Sequence, residues 1–274
     1  MPELPEVETT KRGISPHILN QTITSAEIRQ PKLRWPVSTE IDSLPGAEIT
    51  AVTRRAKYLF VQVSGRNITG HLILHLGMSG SLRVIDPDAD LRKHDHVLIT
   101  LANGLQLRFH DPRRFGCLLF TAEDPNLHPL VRDLGPEPLS DDFTSDVLSE
   151  KASKRKMAIK PFLMDNKVVV GVGNIYACES LHTAGINPKR QANRISKARL
   201  DLLVAEVKRV LQRSIDQGGT TLRDFLHEDG TAGYFKQQLN VYDRESQLCK
   251  TCGSKIKRIT QAQRSTFYCP NCQK

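Results

Sequence analysis

The sequence predicts an α+β chain: one helix and an antiparallel β-sandwich, then a helical domain that ends in a cysteine-bearing β-hairpin. Three features predict it. Eight short apolar runs follow one another without helical periodicity, helical periodicity replaces them after a proline-rich break, and two Cys-x2-Cys pairs close the sequence. At 274 residues the chain has room for two ordinary domains, each with its own core.

The first helix is expected from about Pro5 to Leu19. Pro5 suits the first helical position because its missing N–H would be unpaired there anyway, and Glu6 and Glu8 complement the positive end of the dipole. Strands follow at Thr22–Arg29, Glu48–Arg55, Tyr58–Val63, Ile68–Leu76, Ser81–Ile85, His96–Leu101, Leu105–Phe109 and Cys117–Phe120. Turn signals separate them at Pro45-Gly46, Ser64-Gly65, Asp86-Pro87 and Asn103-Gly104, the last a strong hairpin signal. Strands in series without crossover helices imply a sandwich or barrel, with the first helix packed on it.

Leu134-Gly135-Pro136-Glu137-Pro138-Leu139 breaks the pattern. Beyond it the clearest helix runs from about Ser196 to Gln217. There Leu200, Leu203, Val204, Val207, Val210, Leu211 and Ile215 hold one apolar face, and Gly218-Gly219 ends it. Shorter helices are expected around Asp142–Lys151, Lys160–Met164 and Asn174–Ala184. The expected organisation is therefore a sandwich over 1–133, a linker over 134–140, a helical domain over 141–239 and a cysteine module over 240–274.

The net charge is +9, and its placement says more than its size. Residues 1–140 carry 16 basic and 16 acidic side chains, whereas 141–274 carry 23 and 14, so the whole excess lies in the second half. Such an excess is the footprint of a nucleic-acid surface, though ribosomal and membrane-surface proteins share it. No run reaches the roughly 18 apolar residues of a spanning helix, and Met1-Pro2-Glu3 lacks the features of a signal peptide, so the expected compartment is the cytoplasm.

Cys249-x2-Cys252 and Cys269-x2-Cys272 can place four thiolates at the corners of a tetrahedron. Zinc prefers that set where it has no catalytic water to bind, so one structural Zn2+ is expected, with a disulfide pair as the alternative. Cys117 and Cys178 remain as buried thiols. Lys255, Lys257, Arg258 and Arg264 lie between the pairs, with Thr266, Phe267 and Tyr268 in a hairpin, as in a DNA-binding finger.

At the other end, the small Pro2 allows removal of Met1, which leaves a secondary amine beside the Glu3 carboxylate. Held near a helix N-terminus, such an amine has a depressed pKa and can attack a carbon to form an iminium. The same residues also suit a plain stiffened helix start.

Six motifs in one order carry a resemblance. They are Pro2 to Glu8, Lys57 within Arg54-Arg55-Ala56-Lys57-Tyr58, His75-Leu76-Gly77-Met78-Ser79-Gly80, Asp111-Pro112-Arg113-Arg114-Phe115-Gly116, Gly171-Val172-Gly173-Asn174-Ile175-Tyr176, and the four-cysteine finger. Together they resemble the bacterial formamidopyrimidine-DNA glycosylases from Pro2 to Cys272. The resemblance implies removal of oxidised purines, chiefly 8-oxoguanine opposite cytosine and ring-opened purines, followed by nicking at the abasic site. It implies a monomer that acts on double-stranded DNA in the cleft between its two domains.

It also implies roles. Pro2 becomes the Schiff-base nucleophile, Glu3 the general acid and base, Lys57 the group for β-elimination and Arg264 the group for the δ step. Met78, Arg113 and Phe115 fill the hole left by the extruded nucleotide. His94, Arg155 and Asn174 contact DNA, Asn174 from the helix–two-turns–helix element. Asp243 departs from the family, which often has glycine in that turn, and puts the local turn geometry in question. Two rivals stand beside this expectation: the sister family resembling endonuclease VIII, which prefers oxidised pyrimidines, and a zinc-finger protein that binds DNA without cutting it.

Overall fold

In the computed structural model, residues 2–219 and 238–274 are described, and Met1 and 220–237 are not. The removal of Met1 therefore lies outside the described residues, as do residues 220–237 of the expected helical domain. The described residues fall into two compact units, the first holding 2–132 with Gly218 and Gly219, the second 133–217 and 238–274.

The first unit opens with helix α1, Leu4–Ile18. It starts one residue earlier than expected because Glu3, not Leu4, adopts the extended N-cap conformation, with Pro5 inside the first turn. Eight strands follow: β1 (Ile23–Ile28), β2 (Glu48–Arg55), β3 (Tyr58–Ser64), β4 (Thr69–His75), β5 (Ser81–Ile85), β6 (Asp95–Leu101), β7 (Gln106–His110) and β8 (Cys117–Thr121). They form two antiparallel four-stranded sheets, ordered β1-β6-β7-β5 and β2-β3-β4-β8. Inward residues of both sheets share one core, including Val97, Ile99, Leu107 and Phe109 from the first and Leu59, Val61, Leu72 and Leu74 from the second. Val7, Ile14 and Ile18 of α1 join that core, so the helix is bound to the sandwich by burial.

The second unit holds α2 (Ser145–Ser153), α3 (Ile159–Leu163), α4 (Asn174–Thr183), α5 (Lys197–Asp216), and the hairpin β9 (Lys257–Gln261) and β10 (Arg264–Tyr268). Helix α2 begins three residues later than expected because Thr144 is its N-cap, accepting the Val147 N–H at 3.3 Å. All seven apolar residues read on α5 are buried. A separate small core of Cys178, Val241, Cys249, Ile256, Phe267 and Cys269 joins α4 to the finger. The leftover thiols Cys117 and Cys178 are both buried, as expected. Among the described residues no helix is long and apolar enough to cross a membrane.

Candidate active site and nucleic-acid interface

Pro2 is buried, and Glu3 beside it is only 3% exposed. Glu3 caps α1 in a capping box with Glu6, whose carboxylate accepts the Glu3 N–H at 2.8 Å. The backbone that carries Pro2 is thus fixed at the positive end of the helix, where a developing carboxylate or a lone-pair amine is favoured.

Lys57 sits in the tight turn between β2 and β3, where Arg55 pairs with Tyr58 and Ala56 has φ +54°. The turn is braced against α1. Arg54 donates from Nη1 to the Ala56 carbonyl at 2.9 Å and from Nε to Glu8 at 2.9 Å, while Lys11 and Arg12 reach the same carboxylate at 2.8 and 3.0 Å. Burial pushes the Glu8 carboxyl up, but these cations outweigh it and hold it below the usual carboxylate range. Sequence reading assigned Glu8 only to the helix dipole. Its place in the first turns of α1, together with an arginine three residues before a turn lysine, was the available signal.

Burial, with Lys57 and Arg34 nearby, lowers the His75 imidazole to about 4. It is neutral near pH 7, and its Nδ1 accepts the Gly77 N–H at 2.9 Å, which shapes the turn leading to Met78. This turn meets the loop after β7. A Cβ on Gly77, at φ +66°, would lie 2.4 Å from the Gly116 nitrogen and 2.5 Å from the Phe115 carbonyl carbon. The Asp111 carboxylate, fully buried, holds the loop by accepting the Gly116 N–H at 2.7 Å. The two segments bring Met78, 38% exposed, and Phe115, 44% exposed, to one neighbourhood, with the Arg113 guanidinium 5.1 Å over the Phe115 ring. Large apolar side chains held exposed beside an arginine are suited to enter a base stack.

His94 precedes β6, half exposed, with its ring 5.9 Å from His96 and 6.0 Å from His110. Burial lowers the His96 imidazole, whose Nε2 pairs with the Asp111 carbonyl at 2.8 Å.

In the second unit Arg155 follows α2 with its side chain exposed. Asn174 opens α4 as expected, but the N-cap is Gly173 and the Asn174 side chain faces elsewhere. Its Oδ1 accepts from Lys160 Nζ at 2.5 Å and its Nδ2 donates to the Ser265 carbonyl at 2.9 Å, so the amide is tied to α3 and to the hairpin. Lys160, 1% exposed, also donates to Thr266 Oγ1 at 2.7 Å. Sequence reading missed this lysine, since in a five-residue helix it resembles any solvated charge.

Arg264 begins β10 and is exposed, directly after a two-residue turn in which Ala262 and Gln263 both have positive φ. Asp243 likewise adopts φ +59°, a conformation aspartate tolerates better than most residues.

The sulfurs of Cys249, Cys252, Cys269 and Cys272 all lie within 4.8 Å of one another. The pairs Cys252–Cys269 and Cys249–Cys272 stand at 3.5 and 3.9 Å, close to the roughly 3.8 Å edge of a tetrahedron of 2.3 Å Zn–S bonds. Thr251 and Cys272 donate backbone N–H groups to Cys249 and Cys269 sulfur, each at 3.4 Å, as thiolates bound to a metal require. Four convergent thiols with no disulfide fit one structural zinc.

Three family models match successive stretches of the chain. The formamidopyrimidine-DNA glycosylase N-terminal domain matches residues 1–118, the H2TH domain of the same enzymes matches 134–226, and the zinc finger found in FPG and IleRS matches 246–274. Formamidopyrimidine-DNA glycosylase of Salmonella arizonae is 54% identical over all 274 residues, covering both chains completely. A complex of Lactococcus lactis Fpg with DNA containing an abasic site superposes with a TM-score of 0.91 at 34% identity, covering 100% of both chains. A second complex of that enzyme, with DNA containing N7-benzyl-Fapy-dG, gives 0.90 at 35% over 99% of each.

Proposed function

The chain belongs to the formamidopyrimidine-DNA glycosylase family and is a zinc-finger DNA glycosylase, and we propose that it excises oxidised purines, 8-oxoguanine opposite cytosine and formamidopyrimidines, and then cleaves the strand. The observation that carries this reading is the buried Pro2-Glu3 pair fixed at the head of a helix by a capping box. The proposed organisation is 1–133 for the catalytic sandwich, 134–140 for a linker, 141–239 for the helical DNA-binding domain and 240–274 for the finger. The enzyme acts as a cytoplasmic monomer on double-stranded DNA.

The chemistry begins with extrusion of the damaged nucleotide, which costs a few kcal/mol and leaves a gap in the stack. Met78 and Phe115 fill it, and Arg113 bonds the Watson–Crick edge of the estranged base. The Pro2 nitrogen, freed by loss of Met1, donates its lone pair to C1′. The C1′–base bond breaks, and the base leaves with that electron pair and a proton. Glu3 protonates the ring oxygen, which opens the sugar to an iminium on Pro2. Loss of a 2′ proton then expels the 3′ phosphate, with Lys57 serving this β-elimination. A further elimination expels the 5′ phosphate, where Arg264 acts by binding phosphate, since a guanidinium does not readily release a proton. Water finally hydrolyses the iminium and returns Pro2 as the free amine.

Zinc supplies rigidity to the finger and takes no part in bond making. His94, Arg155 and Asn174 engage phosphates.

Substrate class is tested by single-turnover cleavage of paired duplexes, one with 8-oxoguanine opposite cytosine and one with thymine glycol. Faster cleavage of the first is expected. Preference for thymine glycol moves the assignment to the sister family, and tight binding without any cleavage moves it to a non-catalytic DNA-binding protein.

A further inference from the structure

The loop between β5 and β6, residues 86–94, has no regular secondary structure, yet it is held from within. Arg108 on β7 is fully buried. Its Nη2 donates to the Pro87 and Ala89 carbonyls, each at 2.9 Å, and more distantly to Asp86 at 3.4 Å, while Nη1 donates to the Asp90 carbonyl at 3.1 Å. Nε donates to Gln106 at 2.6 Å. The charge is balanced by Asp95, also fully buried, whose Oδ2 is 3.7 Å away.

Asp95 in turn accepts the Arg92 N–H at 3.0 Å and Arg83 Nη2 at 3.1 Å, and pairs with His110 Nδ1 at 2.8 Å. Arg29 takes the Arg92 and Asp95 carbonyls at 3.3 and 3.0 Å. Burying a guanidinium costs several kcal/mol unless its donors are met. Here they are met almost wholly by one loop, so the charge fixes that loop's shape.

The direction of the bonds has a consequence for the outer surface. The Asp86, Pro87, Ala89 and Asp90 carbonyls point inward to the buried Arg108, while the Arg92 and Lys93 side chains are exposed and His94 is half exposed. Asp86, Asp88 and Asp90 share this loop. The side chains of Arg92 and Lys93 make no ion pair among the described residues. The His94 carbonyl accepts the Asp111 N–H at 3.0 Å, which joins the basic turn to the loop bearing Arg113 and Phe115.

We propose that Arg108 is a positioning residue for DNA binding: it fixes Arg92, Lys93 and His94 as one preformed phosphate-contacting turn, tied through Asp111 to the Arg113–Phe115 loop. Arg108 touches no DNA itself. This rests on the duplex-binding reading above and adds Arg92 and Lys93 to the phosphate contacts.

The test is binding of the zinc-loaded full chain to a duplex carrying a tetrahydrofuran abasic analogue, measured against salt concentration. Each lost phosphate contact lowers the slope of log affinity against log salt by about 0.9. Arg92→Gln/Lys93→Gln is expected to lower the slope by about 1.8, which makes the fall in affinity over a fourfold rise in salt about tenfold smaller. Arg108→Gln should lower it by a similar amount although it is buried, and the triple variant should lose little more than either.

A folded Arg108→Gln protein with the wild-type slope, or one whose loss adds fully to that of the double variant, overturns the proposal. If Arg108→Gln does not fold, Arg108→Lys, which keeps the charge but cannot span the carbonyls, is measured instead. An unchanged slope in Arg92→Gln/Lys93→Gln overturns the proposal whatever Arg108 variants do. A wild-type protein that fails to bind the duplex rejects the duplex-binding reading instead.

Discussion

Replacing Gly77 by alanine tests how the stack-filling residues are brought together. Two costs combine at this position. The φ of +66° puts an L-residue in the left-handed region, at about 1–2 kcal/mol. The new Cβ would meet the Gly116 nitrogen at 2.4 Å and the Phe115 carbonyl carbon at 2.5 Å. Both are backbone atoms, so the Asp111–Gly116 loop must move, and overpacking of that kind costs about 1–3 kcal/mol. The sum is about 2–5 kcal/mol, or a fall in Tm of at least about 4 °C for a protein of this size.

Gly104→Ala separates the two costs, because Gly104 has φ +84° with nothing within 4 Å of its Cβ position. It should lose only about 1–2 kcal/mol from strain. Thermal denaturation of both variants supplies the stability comparison. Single-turnover excision of 8-oxoguanine from duplex supplies the functional one, with a fall expected for Gly77→Ala and wild-type rates for Gly104→Ala. Equal destabilisation by the two changes, or normal excision by a folded Gly77→Ala protein, would refute the close-approach argument.

Other expectations follow from the same geometry. Burial holds the folded His75 imidazole at about 4, below its ordinary 6.5, so the unfolded chain binds the proton more readily. Its contribution is complete above pH 6.5 and falls away by roughly 3 kcal/mol as pH drops to 4; His75→Gln should flatten the stability profile across that window in denaturant titrations. Lys160→Met leaves the Asn174 and Thr266 oxygens without their shared donor, and should destabilise the protein by about 2–4 kcal/mol by chemical denaturation. Chelation should release one zinc per chain, read with a colorimetric dye, and Cys252→Ser should retain metal less well and lose affinity for duplex DNA.

Much of the first unit was legible because its strands are short, apolar and punctuated by turn residues, so each of the eight appears within about a residue or two of its expected bounds. Their order in the sheets was not, since β1 pairs with β6 and β4 with β8 across long loops and no local pattern encodes such partners. The start of α1 shifted because glutamate, an uncommon cap, took the N-cap place usually held by serine, threonine or aspartate.

The finger was readable from cysteine spacing alone. The charged residues that work inside the protein were not. Arg108, Glu8 and Lys160 look in sequence like solvated side chains, and only the fold reveals the oxygens or cations waiting for them. Asn174 was recognised by position, but its amide is turned toward Lys160 and Ser265, a direction that depends on contacts 91 residues apart.

The most direct test of the central claim is borohydride trapping on a duplex with one 8-oxoguanine opposite cytosine, followed by peptide mapping of the cross-link. The account predicts a covalent adduct on the Pro2 nitrogen of a chain lacking Met1, with strand cleavage in the untreated control. An adduct on a lysine, or none despite tight binding, would contradict it.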